Sequence, residues 1–180
     1  MMAKVISVSK SEEHHFSKSA VKAITLIQGE GVEGDVHRGT TVKHRSRVKV
    51  DPTQPNLRQV HLIHGELFNE LDQQGFDIEP AALGENITTQ GIDLLSLPKG
   101  TRLQFPSGAQ ISVTGLRNPC PQIENYQKGL LSALLGRDES GKTVRKAGVM
   151  GIVVMGGDVH EGDHIDVVFP DEPFQKLEVV

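Results

Sequence analysis

The chain has 180 residues, a single cysteine, no tryptophan and a formal net charge of −4 at pH 7, with a pI near 6.0. One thiol excludes an intramolecular disulfide and gives no sign of an oxidising compartment, and the acidic balance excludes a chain whose whole surface binds nucleic acid. The length suffices for a core without metal or disulfide staples, Met1–Ser7 lacks the apolar core of a signal peptide, and no run approaches the ~18 apolar residues of a membrane span; the expectation is one cytoplasmic domain over residues 1–180, with a core from about 5 to 169 and a tail over 170–180.

Nineteen glycines and nine prolines imply many tight turns, which suits short strands better than a helix bundle. Residues 4–9 alternate weakly and predict a first strand. Residues 11–20, polar and carrying His14 and His15, predict a loop, and Val21 to Ile27 a strand running into the turn Gln28-Gly29-Glu30-Gly31. Lys43, Arg45, Arg47 and Lys49 occupy alternate positions; in a strand all four share one side, either a basic face for an anion or a charged strand edge. Two prolines make 51–56 a loop, Leu57 to Ile63 predicts a strand, and Gly65 to Gln74 a short helix with Leu67, Phe68 and Leu71 inward, ended by Gly75. Pro80 to Gly91 reads as a loop around Gly84-Glu85-Asn86. Leu97 to Thr101 turns into a strand over Arg102–Phe105, and Pro106–Ala109 turns that strand into Gln110–Thr114, a hairpin. Pro121 suits a first helical position, and Ile123, Tyr126, Leu130 and Leu134 recur at near-helical spacing, predicting a helix just past Cys120. Val149 to Met155 is continuously apolar and predicts a buried central strand; Val159–Asp163 turns into a last strand over His164–Phe169, and the acidic, proline-broken tail from Pro170 is expected to fray.

Two segments match catalytic patterns without the context these need. Gly136-Arg137-Asp138-Glu139-Ser140-Gly141-Lys142-Thr143 fits the P-loop pattern, but a P-loop holds phosphate only where a strand enters and a helix leaves. Here the helix-like Leu130–Leu135 enters, a strand follows, and Asp138 and Glu139 crowd an anion, so 136–143 reads as a solvated loop without a role. His160-Glu161-Gly162-Asp163-His164 fits the zinc-protease pattern, which requires both histidines on one helix face. Gly162-Asp163 is a poor helix interior, so the expectation is a hairpin turn with exposed histidines and no role. Gly-Asp-Val-His occurs at 34–37 and 157–160, too short an echo for a repeat.

Three segments carry residues suited to chemistry. Cys120 follows Arg117 and Asn118 in Leu116-Arg117-Asn118-Pro119-Cys120. A thiol is a nucleophile or metal ligand as thiolate, a form that a nearby cation and a helix N-terminus favour; the alternative is a small buried hydrophobe. Glu33 to Gly39 sets Asp35, His37 and Arg38 between glycines, whose missing Cβ lets backbone amides approach a ligand. Arg38 can fork onto phosphate or carboxylate with Asp35 or His37 orienting it, or the segment is a surface turn with an internal Asp–Arg pair. Gly84-Glu85-Asn86 lines a cleft or only makes a turn. His61 and His64 flank a strand-to-helix junction and read as one buried and one helix-capping histidine rather than as metal ligands.

With the acid–His–Arg segment, the Gly-Glu-Asn loop and Cys120 in that order, the chain resembles the MOSC family, stand-alone relatives of the C-terminal domain of molybdenum cofactor sulfurase. The resemblance runs from about Val5 to Phe169 and is carried by Gly31–Gly39, Gln59–Ile63, Gly84–Ile87 and Leu116–Cys120. It implies a mainly β fold around a closed β-barrel, like the β-barrel domain of pyruvate kinase, with a few peripheral helices. It implies a cysteine that carries sulfane sulfur as a persulfide or ligates molybdenum in the molybdenum cofactor (molybdopterin). By position, Cys120 is the sulfur or metal residue, Arg117 and Asn118 belong to its site, and Asp35, His37 and Arg38 line the same pocket with Gly84, Glu85 and Asn86. The functions implied are sulfur carriage or cofactor binding, molybdenum-dependent reduction of N-hydroxylated substrates, or a non-catalytic cofactor-binding module. The implied partners are a cysteine desulfurase or a molybdoenzyme, with neither nucleic acid nor membrane among them.

Overall fold

Short strands separated by turns are the main regular elements of the computed structural model, which describes residues 2–180. In chain order they are β1 (Lys4–Lys10), β2 (Ser19–Val21), β3 (Ala23–Ile27), β4 (Gly31–Val32), β5 (Val60–His64), β6 (Ile87–Gln90), β7 (Arg102–Gln104), β8 (Gln110–Leu116), β9 (Leu135–Arg137), β10 (Thr143–Arg145), β11 (Val149–Met155), β12 (Gly157–His160) and β13 (Asp166–Val168). The helices are α1 (Arg45–Val50), α2 (Glu66–Gln73), α3 (Gln122–Tyr126) and α4 (Leu130–Ala133). The main sheet runs β13-β7-β8-β11-β5-β6-β1-β2, with β12-β3-β4 and the hairpin β9-β10 as separate sheets. Its one parallel pair, β5 with β6, is joined through α2, because parallel neighbours need a crossover.

The closed barrel does not form. The main sheet is open, with β13 and β2 at its two ends. β13 has a ladder only with β7; the chain ahead of it meets β1 through one isolated bridge, Lys4 with His164, and backbone bonds such as Val5 N–H to the Asp163 carbonyl. Closure requires end strands long enough to register against each other. Here both end strands span three residues, and Pro170 beyond β13 offers no N–H.

Alternation decides the burial. β3 turns Ile24 and Leu26 inward, and they join Val5, Leu62, Leu103, Ile111, Val149 and Val153 in the main core. Each such side chain contributes about 1.5–3 kcal/mol of burial. β5 is buried on both faces: Val60 and Leu62 belong to the main core, while Ile63 belongs to a second cluster with Leu67 and Leu71 of α2, Leu83, Ile123, Leu130 and Leu134. The expected helix over 65–74 thus packs with Leu67 and Leu71 fully buried and Phe68 at the margin.

Four segments differ from the sequence expectation. Residues 45–50 are helix, not strand: Arg and Lys are good helix formers, and the Arg47 and Val48 N–H groups close onto the His44 carbonyl at 2.9 and 3.0 Å. The helix past Cys120 is broken at Gly129, whose φ of 87° opens α4, and Glu124 accepts the Gly129 N–H at 2.9 Å. The 80–91 loop contains β6, a buried strand whose Thr88 and Thr89 disguise it as polar. The tail docks instead of fraying: Leu177 enters the main core and the Leu116 N–H binds the Glu178 carbonyl at 2.7 Å. No helix among the described residues is long and apolar enough to cross a membrane.

Candidate functional site: a cation-rich pocket around Cys120

Segments distant in the sequence converge on one cavity of about 430 Å³, lined by Cys120, Arg117, Asn118, Lys18, Arg58, His37, His44, Gly84 and Asn86 among others. Arg117 leaves the end of β8 with its N–H on the Gly148 carbonyl (3.0 Å) and its Nη1 on the Leu83 carbonyl (2.6 Å). Gly148 has φ of 88°, and a Cβ there would collide with the Leu62 carbonyl oxygen, so only glycine lets the strands approach here. Gly84 is likewise required: φ is 86° and a Cβ would stand 2.6 Å from the Phe16 carbonyl oxygen.

Lys18 and Asp35 form the floor. Their side chains are 3% and 0% exposed, and the ammonium donates to both carboxylate oxygens, at 2.8 and 2.9 Å. Asp35 also accepts the Ser11 and His37 N–H groups at 3.1 Å and the Asn86 amide at 3.3 Å. Burial pushes its carboxyl up, but hydrogen bonding from His37, the charge and hydrogen bonds of Lys18, and the Ser11 N–H outweigh this and hold it well below the usual carboxylate range.

Arg117 is buried, which lowers its pKa, and it lines the same cavity as Cys120. Burial, with repulsion from Arg47 and Arg117, brings Arg58 down to about 10, leaving it charged at neutral pH. Cys120 is partly buried: it packs at the margin of the second core cluster and opens on the pocket, its Sγ 3.8 Å from Oε1 of Gln122. Five histidines line the pocket: His14, His15, His37, His44 and His61. His37 stacks on His44 at 4.3 Å and 18°, and His14 meets His37 edge-on at 5.6 Å. Burial first, then the charges of His37, Arg58, Lys18 and Arg117, push His44 down to about 2, so it is neutral. His61 is buried against the Ala147 carbonyl at 2.7 Å and is also held neutral, its pKa pushed down by desolvation and by Arg117.

Of the residues singled out in the sequence, Cys120, Arg117, Asn118, His37, Gly84 and Asn86 come together on the cavity wall. Asp35 and Glu85 lie beneath it rather than on it. Glu85 is fully buried, its Oε1 accepting from Ala81 N–H (2.6 Å) and Thr88 Oγ1 (3.1 Å) while Oε2 has no partner, and desolvation raises its pKa against those bonds and the Arg117 charge. Arg38 is elsewhere: its Nε and Nη2 both bind Oε2 of Glu30, at 2.8 and 2.6 Å, in a half-exposed pair. Its partner is therefore Glu30 and not Asp35, which Lys18 already occupies. Lys18 and Arg58 are pocket-lining cations that sequence reasoning missed; one sits in a polar loop and the other ahead of a strand, and neither has a local signal.

The two rejected motifs occupy turns. Residues 136–143 span the β9-β10 hairpin, where Oδ1 of Asp138 accepts from Ser140 N–H, Ser140 Oγ and Lys142 N–H, taking the donors that a phosphate would need. His160 and His164 are about half exposed at the turn after β12.

An open mainly β sheet holding one thiol among cations defines a small β protein with a cysteine-bearing, cation-rich pocket. The MOSC domain family model matches residues 12–166, and the chain belongs to the MOSC domain family. YuaD of Bacillus subtilis (strain 168), whose descriptive name places it among candidate metal-sulfur cluster biosynthesis proteins, is 36% identical over 150 residues, 76% of each chain. The crystal structure of YUAD from Bacillus subtilis matches with a TM-score of 0.76 and 32% identity, over 93% of this chain and 96% of that one. YiiM from Escherichia coli shares the fold at 17% identity, with a TM-score of 0.63 over 95% of this chain and 72% of its own.

Proposed function

We propose that the protein carries sulfur on Cys120 inside a pocket built for an anionic ligand. The observation supporting this is that Cys120 lines one cavity together with Arg117, Arg58 and Lys18. In the step proposed, the Cys120 thiolate attacks the outer sulfur of a donor persulfide. The donor S–S bond breaks, the donor leaves as a thiolate, and Cys120 holds the transferred sulfur as a persulfide anion, with no net oxidation or reduction. Arg117 stabilises the anion before and after transfer through charge-assisted hydrogen bonding. A cysteine desulfurase is the donor of matching chemistry.

The donor set also fits the molybdenum cofactor. Among the described residues no cluster of three or more His, Cys, Asp or Glu side chains could hold a bare metal ion. A group that brings its own chelate needs only one soft ligand, for which the Cys120 thiolate is suited, and Lys18, Arg58 and Arg117 can meet its phosphate. When bound, it supplies a molybdenum centre for reduction of N-hydroxylated substrates; the chain's own residues hold it and balance its charge.

The test is intact-mass analysis after incubation with an active cysteine desulfurase and cysteine. One added sulfur, removed by a thiol reductant and absent from Cys120→Ser, is expected; an unmodified wild-type mass refutes sulfur carriage. Molybdenum and pterin measured after expression in a cofactor-competent host decide the second reading, which metal at background rejects. Ligand binding and cellular function that survive Cys120→Ser intact identify a non-catalytic binding module instead.

A further inference from the structure

Residues 41–55 leave the body of the protein and return to it as an arm with a pinned neck. Thr41 bridges Pro55, the Val42 N–H binds the Gln54 carbonyl at 2.9 Å, and the Asn56 N–H binds the Thr40 carbonyl at 3.0 Å. The buried Asn56 amide ties this neck to the 34–39 turn, donating to the carbonyls of His37 and Gly39 at 2.9 and 3.0 Å. A closed excursion of this kind is an Ω-loop, a form that frequently carries function. Helix α1 lies in the arm and buries none of its residues, although short helices owe most of their stability to a packed face. Val48 and Val50 stand exposed on it.

The helix redistributes the four cations that alternate in the sequence. Positions 45 and 49 are one turn apart and share a face, whereas position 47 falls on the other side. Arg45 and Ser46 line the Cys120 cavity, and Lys49 is exposed one turn farther along. A row of positive charge therefore leads from the cavity mouth onto the open face of α1. Among the described residues, none of Lys43, Arg45, Arg47 and Lys49 forms an ion pair with a carboxylate. The acid of the arm, Asp51, is turned onto Thr53, accepting its N–H and Oγ1 at 2.9 and 2.6 Å.

The geometry of this row selects its ligand. Lys49 does not line the cavity, so a small anion held inside leaves the row unused. A nucleic acid needs a basic track over many phosphates, but the chain has a net charge of −4 despite the four cations of 43–49, so its remaining surface repels one. An extended acidic polypeptide fits: its alternate side chains point the same way about 6.6 Å apart, near the roughly 6 Å between positions 45 and 49.

We propose that the α1 face bearing Arg45 and Lys49 docks an extended acidic segment of the protein that exchanges sulfur with Cys120. Carboxylates at alternate positions of that segment meet the two cations, and its reactive end enters the cavity. The partner's role rests on the sulfur carriage proposed above; the docking rests on the arm alone. The pinned neck holds the cations in place before the segment arrives, which lowers the ordering cost of binding.

The test is fluorescence titration of the full chain with a dye-labelled synthetic peptide, a serine followed by alternating glutamate and glycine, and with the same peptide carrying glutamine for glutamate. Wild type is expected to prefer the glutamate peptide, and less so as salt rises. Arg45→Glu and Lys49→Glu are each expected to weaken it roughly threefold to tenfold, while Lys142→Glu, on the β9-β10 hairpin, binds it like wild type. A lysine version of the peptide is expected to bind the Arg45→Glu/Lys49→Glu double variant better than wild type, a rescue that misfolding does not produce. The proposal is overturned if wild type binds the glutamate and glutamine peptides alike, if Arg45→Glu and Lys49→Glu bind the glutamate peptide like wild type, or if Lys142→Glu loses as much as they do. It is also overturned if a single-stranded oligonucleotide of equal charge binds through Arg45 and Lys49 more tightly than the peptide. Glutamate-peptide binding without sulfur loading of Cys120 from a small-molecule persulfide supports the docking face and overturns sulfur carriage alone.

Discussion

Replacing Asp35 by Asn tests whether the pocket floor is an obligatory ion pair. The side chain is isosteric, so packing is retained, but the buried ammonium of Lys18 loses the only carboxylate it binds among the described residues, and both contacts, 2.8 and 2.9 Å, lose their charge. Removing one partner of a buried pair costs about 3–5 kcal/mol, because the surviving charge is left desolvated. In a chain of this length each kcal/mol lowers Tm by about 2–4 °C, so a fall of roughly 6–20 °C is expected. The Asp35 carboxyl is held below its unfolded value, so its contribution is complete above about pH 4 and is lost as pH falls through the folded pKa. The assay is urea unfolding at pH 7 of wild type, Asp35→Asn, Lys18→Met and the double variant. The double variant is expected to recover most of the single loss, since no orphan charge remains. A cost below about 1 kcal/mol for Asp35→Asn, or additive losses in the double variant, refutes the reasoning.

His44 and His61 are neutral in the fold, their pKa values lowered by burial, so below about pH 6.5 the unfolded chain binds more protons than the folded one. Their contribution is whole above that pH and is lost as pH falls, at about 1.4 kcal/mol per unit for each, and urea unfolding is expected to show a combined slope of roughly 2–3 kcal/mol per unit between pH 6 and 5; a flat profile contradicts it. Gly148→Ala places a Cβ against the Leu62 carbonyl at φ of 88° and shifts the carbonyl that holds the Arg117 N–H. It is expected to cost at least about 2 kcal/mol in chemical denaturation and to weaken phosphate binding as well; a neutral substitution shows that the strands can part there. Arg38→Ala removes only a half-exposed pair with Glu30 and is expected to change stability by less than about 1 kcal/mol, with phosphate affinity unchanged in calorimetric titration. A large loss of affinity places Arg38 in the pocket after all.

Much of the secondary structure is written locally. The hairpin of β7 and β8, the amphipathic α2, the buried β11 and the turn character of the 136–143 and 160–164 motifs all follow from spacing and from glycine and proline placement within a few residues. Where the sequence misled, a neighbour decided. Ile87–Gln90 is a strand because β5 and β1 flank it, and the tail docks because Gly115 leaves its surface open. Arg45–Val50 is the local exception, where helix propensity outweighed an alternating charge pattern.

The chain alone determined that a lone thiol follows an arginine in a polar, proline-kinked setting, and that Gly34–Gly39 and Gly84–Asn86 set polar and charged residues beside glycines. Only the tertiary structure decided that Lys18, Arg58 and Arg117 gather around that thiol, that Asp35 binds Lys18 while Arg38 turns away to Glu30, and that the sheet stays open. The physical reason is that charge pairing and desolvation depend on distance in space. Residues 40 to 100 positions apart carry no mutual signal until strand pairing brings them within a few ångströms.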